Sequence, residues 1–523
     1  MTPPIYRVGI AREIINPPLG IRLCGYALRE GVSNRILDDL SVTALAIQSR
    51  ESLMVLMGAD LTMLSPEFAN ALRAHCAKLI GTLPKNILIN VGHTHSAPVM
   101  DGYIPYDVTE QIHMQDQYAA LVFEKCGKAC QEAVSKMQAA RMGSGWGELR
   151  ANVNRRQKMQ EGEVYVGENH QGECDSSVGV IRFDDLKGNP LAVAFRYSCH
   201  PVTLGYRSNV ISADYIGAAR GTIESGLGCL SLFLQGCAGN LNPLSGIGAS
   251  EEDFDETRRL GRMLGAETIK VAESIRTHKR RSQPKIVRSM ATFFAYAYEE
   301  YQEGGEGPLS VLEREFELPL APLPSYDVVL SEMHDYETRM QNGRRANAPE
   351  SVQHINNRYV FWAAQRAQTL QQKGNPVRVR FSVHVVRIGP ILLLTMPFEP
   401  MAETGLALRQ LLRGHETFVL GYTNGVISYL PTPQISREGG LEAQQGYKNY
   451  LLPAEVPGVW ETTLRSYFVT HVQKHDKFEP PVREEKQEAR IETGEGAMTV
   501  RKTVPLKMPF RSRDFSHFEN TAQ

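Results

Sequence analysis

The sequence predicts an α/β fold: a mixed sheet core with flanking helices and one helical insertion. Three observations carry that expectation. Short apolar runs alternate with helical stretches through the first half, apolar strands return near residue 377, and residues 300–375 between them are polar and helix-rich. At 523 residues the chain exceeds what one hydrophobic core usually supports, so one large domain with insertions, or two units, is expected.

S-L-M-V-L-M-G-A-D (52–60) is a short apolar run of the kind a buried strand needs, with Asp60 at its C-terminal end. The stretch 65–81 then carries helix signals at both ends: Ser65 as N-cap, Pro66 at the first helical position and Gly81 as the stop. N-I-L-I-N-V (86–91) supplies a second strand and completes a βαβ unit. In such sheets ligands gather at the carboxyl ends of the strands, where Asp60, His93 and His95 fall.

The pattern recurs. N-P-L-A-V-A-F-R-Y-S-C-H-P (189–201) reads as a strand ending in His200, and residues 230–243 as another that runs into a Gly- and Asn-rich loop. Residues 251–277 form an amphipathic helix. Two apolar strands near 377–396 flank the turn Ile388-Gly389-Pro390, and the second leads into M-P-F-E-P with Glu399. The insertion, with an aromatic patch near Trp362, is expected to lie over the main domain as a lid, an oligomer contact or a solvated helical pair. Past residue 480 the chain is charged, with Pro505 and Pro509, and reads as a tail extended on the surface or docked on a neighbouring subunit.

With 42% hydrophobic and 22% charged residues the composition is that of an ordinary globular protein, and a net charge of -1 gives no long-range attraction for nucleic acid or anionic membranes. A small-molecule substrate fits better. The N-terminus lacks the pattern of a signal peptide and no run reaches the roughly 18 apolar residues of a membrane span, so a cytoplasmic protein without an integral membrane segment is expected. Eight cysteines with no C-x-x-C suggest reduced thiols.

His93 and His95 are the sharpest chemical signal. Residues two apart on an extended chain point to the same side, so both imidazoles can reach one metal ion. Catalytic zinc takes three protein ligands and keeps a position open, and His93, His95, His200 and Glu399 offer such a set at strand carboxyl ends. By itself His200 also suits a satisfied interior histidine, and Glu399 a carboxylate at a helix N-terminus. His75, His384, His471 and His475 read as structural or surface residues.

Several motifs occur together and in order: G-H-T-H-S-A-P (92–98), N-V-N-R-R (152–156), S-C-H-P-V-T-L (198–204), S-A-D-Y-I-G (212–217), Q-G-C-A-G-N-L-N-P (235–243), P-F-E-P-M (397–401) and N-G-V-I-S-Y-L-P-T (424–432). With the opening V-G-I-A-R-E-I-I-N-P-P and C-G-Y-A (24–27), the chain resembles the neutral, non-lysosomal ceramidases over residues 6–465. The resemblance implies a zinc-dependent amidohydrolase whose metal is held by His93, His95, His200, Glu399 and Tyr429. It makes residues 1–465 a catalytic domain and 466–523 a C-terminal extension, too short for the family's immunoglobulin-like domain of about 100 residues. Asp60 and Asp214 match family aspartates near the site, as ligand-orienting, substrate-binding or structural groups.

Two departures fall on substrate handling. Where the family carries a needed serine in G-D-V-S-P, this chain has Gly239-Asn240-Leu241-Asn242-Pro243, and a second family tyrosine falls near Leu441, with Tyr447 as a shifted substitute. Both point away from ceramide, while the short C-terminal extension and the lack of a leader are expected to go with a soluble substrate. The expected chemistry is metal-activated water attacking an amide (N-acyl) bond, with His95, Asn242 and Tyr429 as catalytic candidates. Asn240, Asn242 and the loop glycines Gly236 and Gly239 are expected as donors to the developing oxyanion or to substrate hydroxyls, and Arg155 and Arg156 hold a substrate carboxylate or hydroxyl or are solvated charge. Hydrolysis of an ester, lactone or glycosidic bond, or a non-catalytic metal staple, are the competing readings.

Overall fold

The computed structural model describes residues 5–100, 104, 107–247, 254–277, 285–290, 293–297, 307–373 and 375–476. The βαβ unit forms as expected. Strands Ser52–Ala59 and Ile87–Val91 pair in parallel, and the helix Pro66–Ile80 between them is capped by the Ser65 hydroxyl, which accepts from Phe68 N, and stopped by Gly81 at φ 70.

Among the described residues these two strands close one margin of an eight-stranded mixed sheet, and Pro190–Tyr197 with Leu230–Gln235 form the parallel pair at the other. The sheet curls until its margins meet. The Asn90 side chain accepts from Gln235 N at 2.7 Å and donates to Gly421 O at 2.8 Å, tying the two edges and a neighbouring loop together. Carboxyl ends far apart in strand order therefore become neighbours in space.

A second sheet packs on this one, with strands Leu309–Pro319, Arg378–Ile388, Ile391–Thr395 and Glu416–Leu420 in that order. The period-two pattern sorts the side chains. Leu45, Ile47, Leu56 and Leu88 of the large sheet meet Val386, Ile388, Leu393 and Phe418 of the small one. The opposite faces bury Val55, Met57 and Ile89 under helices, and Val383, Val385 and Leu394 beside Trp362 and Trp460. Helices Tyr215–Leu227 and Asp255–Ser274 cover Val193, Phe195 and Phe233.

The segment expected as a helical insertion is only partly that. Leu309–Pro319 pairs with Arg378–Ile388 along its whole length, because L-S-V-L-E-R-E-F-E-L alternates as a strand does. The helical part is a hairpin, Tyr326–Arg345 and Glu350–Lys373, anchored by the buried Trp362, whose indole donates to Leu452 O at 2.7 Å. The expected domain boundary at 465 falls inside the helix Val459–Asp476. Residues 251–253, 300–306 and 374, and the tail with Pro505 and Pro509, lie outside the described residues. All eight cysteines, each within the described residues, are free thiols, and no described helix is long and apolar enough to cross a membrane.

Candidate active site

His93 follows the strand Ile87–Val91 but does not continue it: its φ is 70, a left-handed turn. The expectation of two imidazoles side by side on an extended chain is corrected in its route. The turn is held by His93 N donating to Leu61 O at 2.9 Å and by Nδ1 donating to Thr62 O at 2.6 Å, which aims Nε2 forward. His95 meets it with 3.4 Å between the Nε2 atoms. His200, beyond the strand Pro190–Tyr197, donates from Nδ1 to Ala238 O at 2.8 Å, and its ring centroid lies 5.0 Å from that of His93. One ligand nitrogen from each histidine falls within 4.8 Å of the others.

Glu399 completes the group. The short strand Glu399–Pro400 pairs in parallel with Tyr429–Leu430, which sets Glu399 against Tyr429. Glu399 Oε2 lies 3.1 Å from His200 Nε2 and 3.5 Å from His93 Nε2, and accepts from Tyr422 OH at 3.1 Å. Tyr450 OH donates to the other oxygen. Burial opposes the carboxylate's charge, but His93 and His200 in their protonated forms, with Arg155, outweigh it and hold Glu399 at about 2. Burial pushes His93 down to about 4, and His95 well below the usual histidine range, aided by the neighbouring imidazoles and arginines.

These are conditions for a metal. A carbonyl can only accept, so the Nδ1 atoms of His93 and His200 carry the ring protons and their Nε2 lone pairs face Glu399. Two lone pairs against a carboxylate oxygen repel each other; a cation between them converts that contact to attraction. The donor set of neutral imidazoles and a carboxylate suits zinc.

The remaining expected residues divide. Arg155 stands at the group: Nη2 donates to Tyr429 OH at 3.2 Å, Nη1 lies 3.3 Å from His200 Nε2 and 3.4 Å from Asn242 Oδ1, and Nε pairs with Glu442 at 2.9 Å. Arg156 pairs with the other Glu442 oxygen at 2.6 Å, so both arginines are buried ion-pair partners and neither is solvated charge. Asn240 spends its side chain on Ala402 N and Glu403, and Gly236 N and Gly239 N donate to Tyr197 O and Pro400 O, so these loop donors are already used. Asp60 is clamped by Arg220 at 2.6 Å and by Ser41, and Asp214 accepts from Thr203, Leu204 N and Tyr215 N at a helix start. Tyr447 packs on Trp362 at 6.0 Å.

A cavity of about 130 Å³ opens on the group, with His93, His95, Glu399, Tyr429 and Tyr450 on one side and Tyr26, Arg29, His354, Ile355 and Arg358 on others. Tyr422, Tyr450, Glu442 and the residues of the Glu350–Lys373 helix were not expected here. No local spacing in the sequence marks them.

The scaffold is α/β, and its strand ends bring three imidazoles and a carboxylate together beside a cavity, a group that could hold a metal ion. Residues 6–231 match the family described as neutral/alkaline non-lysosomal ceramidase, N-terminal. Over that N-terminal part the chain is similar to the family. It is 25% identical over 284 residues to the neutral ceramidase of Pseudomonas aeruginosa, covering 51% of this chain and 42% of that one. It is also 25% identical over 229 residues to neutral ceramidase A of Dictyostelium discoideum, covering 41% of this chain and 31% of that one. The chain thus spans less than half the length of these curated relatives. The crystal structure of the Pseudomonas aeruginosa enzyme shares the fold, with a TM-score of 0.62 at 18% identity over 94% of this chain and 77% of that one. A ceramidase complexed with C2 gives 0.64 at 18% identity, covering 93% and 77%.

Proposed function

We propose that the chain is a zinc-dependent hydrolase that cleaves an amide (N-acyl) bond. The observation that carries the reading is the convergence of His93, His95 and His200 with Glu399 at the end of a cavity, each ring nitrogen away from the group being fixed or buried. The relatives named as ceramidases act, by that name, on a lipid amide, which supports an amide as the bond class.

His93, His95, His200 and Glu399 would hold the ion, with Tyr429 beside them on the strand paired with Glu399. Bound zinc supplies a Lewis acid that acidifies water and polarises a carbonyl. The chain does the rest. The Thr62 and Ala238 carbonyls fix the tautomers of His93 and His200, and the hydroxyls of Tyr422 and Tyr450 orient the Glu399 carboxylate. Arg155 holds the Tyr429 hydroxyl as an acceptor, so the phenolic proton is free to point at a substrate oxygen.

The test is metal content with and without the ligands. Purified protein should carry about one zinc per chain by elemental analysis, and His93→Ala or His95→Ala should hold less than about a tenth of it. Variants that keep full metal would sink the assignment. A panel of N-acyl amides, esters and glycosides, assayed with and without a chelator, reads the reaction: amide cleavage abolished by chelator and restored by zinc is expected, and chelator-insensitive turnover overturns the reading.

A further inference from the structure

Arg29 stands apart from Arg155 and Arg156 beside the histidine group and from Arg22 on the cavity wall. Arg155 and Arg156 share Glu442, and Arg22 pairs with Asp107 at 3.1 Å and Glu350 at 2.7 Å. Arg29 is 6% exposed and, among the described residues, has no carboxylate partner. Its Nη1 donates to Cys24 O at 2.7 Å and its Nε to Ser208 O at 3.1 Å, while Nη2 is buried with no hydrogen-bond partner. The Tyr26 ring, 4.9 Å from the guanidinium carbon, is the remaining compensation. Burial accordingly draws its pKa down to about 10. A guanidinium withdrawn from water without a counter-ion is costly, and the cost is recovered when a bound anion supplies one.

The place of this charge matters. Cys24, whose carbonyl holds Arg29, precedes Gly25, and a Cβ on Gly25 would lie 2.3 Å from Cγ of His95. Arg29 and the imidazoles thus line one cavity, and Arg358 from the helix Glu350–Lys373 adds a second guanidinium to the wall. At about 130 Å³ the space is of the order of the roughly 150 Å³ that accommodates a benzene ring, so it takes the smallest N-acyl amino acids or one end of a longer one.

We propose that the substrate of this centre carries a carboxylate, bound by the Arg29 guanidinium on the cavity wall while the scissile amide faces the histidines: the class of small N-acyl amino acids. The inference rests on the amide-hydrolase reading and names the substrate class of the same site. A planar carboxylate matches the guanidinium fork, and a neutral amide in its place leaves the buried charge unanswered.

The experiment compares N-acetyl amino acids with their carboxamides, which differ only in that charge. On the wild-type protein the acid should be hydrolysed with kcat/KM at least about tenfold above its carboxamide. Arg29→Gln should erase the preference, mainly through KM, and Arg29→Lys should keep part of it. Binding is read separately, by calorimetry of N-acetylglycine on metal-free protein, where wild type should bind and Arg29→Gln should not. Equal turnover of acid and carboxamide overturns the inference and leaves the hydrolase reading standing. Carboxylate binding that depends on Arg29 with no turnover of any amide does the reverse. Tighter binding of inorganic phosphate or sulfate than of N-acetylglycine also overturns the carboxylate assignment. If Arg29→Gln does not fold, the substrate pair on wild type and Arg29→Lys decide the matter.

Discussion

Single residues near the centre divide into those that face it and those that hold its walls, and Asp60 shows how the division can be tested. It is 2% exposed, and Arg220 reaches both of its oxygens at 2.6 Å while Ser41 donates to one of them from N and Oγ. Asp60 is not among the residues that line the cavity. Removing the charge strands the buried Arg220, which by the usual cost of breaking a buried pair is about 3–5 kcal/mol. Asp60→Asn is therefore expected to lower the urea midpoint sharply while the surviving folded enzyme keeps its KM within about twofold. An Asp60→Asn protein of wild-type stability with a raised KM would instead place Asp60 on the substrate. Tyr450 is the opposite case, a side chain on the cavity with its hydroxyl on Glu399, and it gave no sequence signal because its partner is 51 residues away.

At the scale of elements, the helix Pro66–Ile80 and the strands around it were legible because their signals are local: a cap, a proline, a stop and an apolar run. The meeting of His93 with His95 was also legible, but its cause was not. The left-handed turn at His93 depends on the Thr62 carbonyl, which the sheet register delivers. The Glu350–Lys373 helix was read as a lid, an oligomer contact or a solvated pair. It lines the cavity because Glu350 bonds Arg22 and Gly31 N, and Ser351 bonds Glu30, pairings more than 300 residues apart. Gly25 tests this packing. At φ 100 and with His95 against its Cα, it has no room for a side chain. Gly25→Ala should displace the His95 ring and reduce zinc affinity by about 10–100-fold in chelator competition, the range seen when ligand orientation is lost. Unchanged affinity would mean that the loop carrying Gly25 yields without moving the ring.

For the whole molecule, the response to pH is set by carboxyl groups held on opposite sides of their usual range. The hydrogen bond from His384, then Arg73, holds Glu313 at about 2 against the opposing effect of burial. Its folded pKa is depressed, so its contribution is present above about 4.5 and is lost as pH falls toward 2. Asp38 behaves in the opposite sense: burial raises it to about 6, against the Ser212 hydroxyl and Ala213 N that favour its charge. Between about pH 4 and 6 the folded chain keeps a proton on Asp38 that the unfolded chain has released, so this group makes stability fall as pH rises. Asp38→Asn removes the titration while keeping the shape. Urea unfolding at pH 4, 5, 6 and 7, with chelator present so that metal release does not add its own pH dependence, should show the variant gaining on wild type from pH 4 to 6 and no further above that. A constant difference across the series would mean that Asp38 titrates alike in both states, and that the loop joining Arg35–Ile36 to the large sheet is open to water.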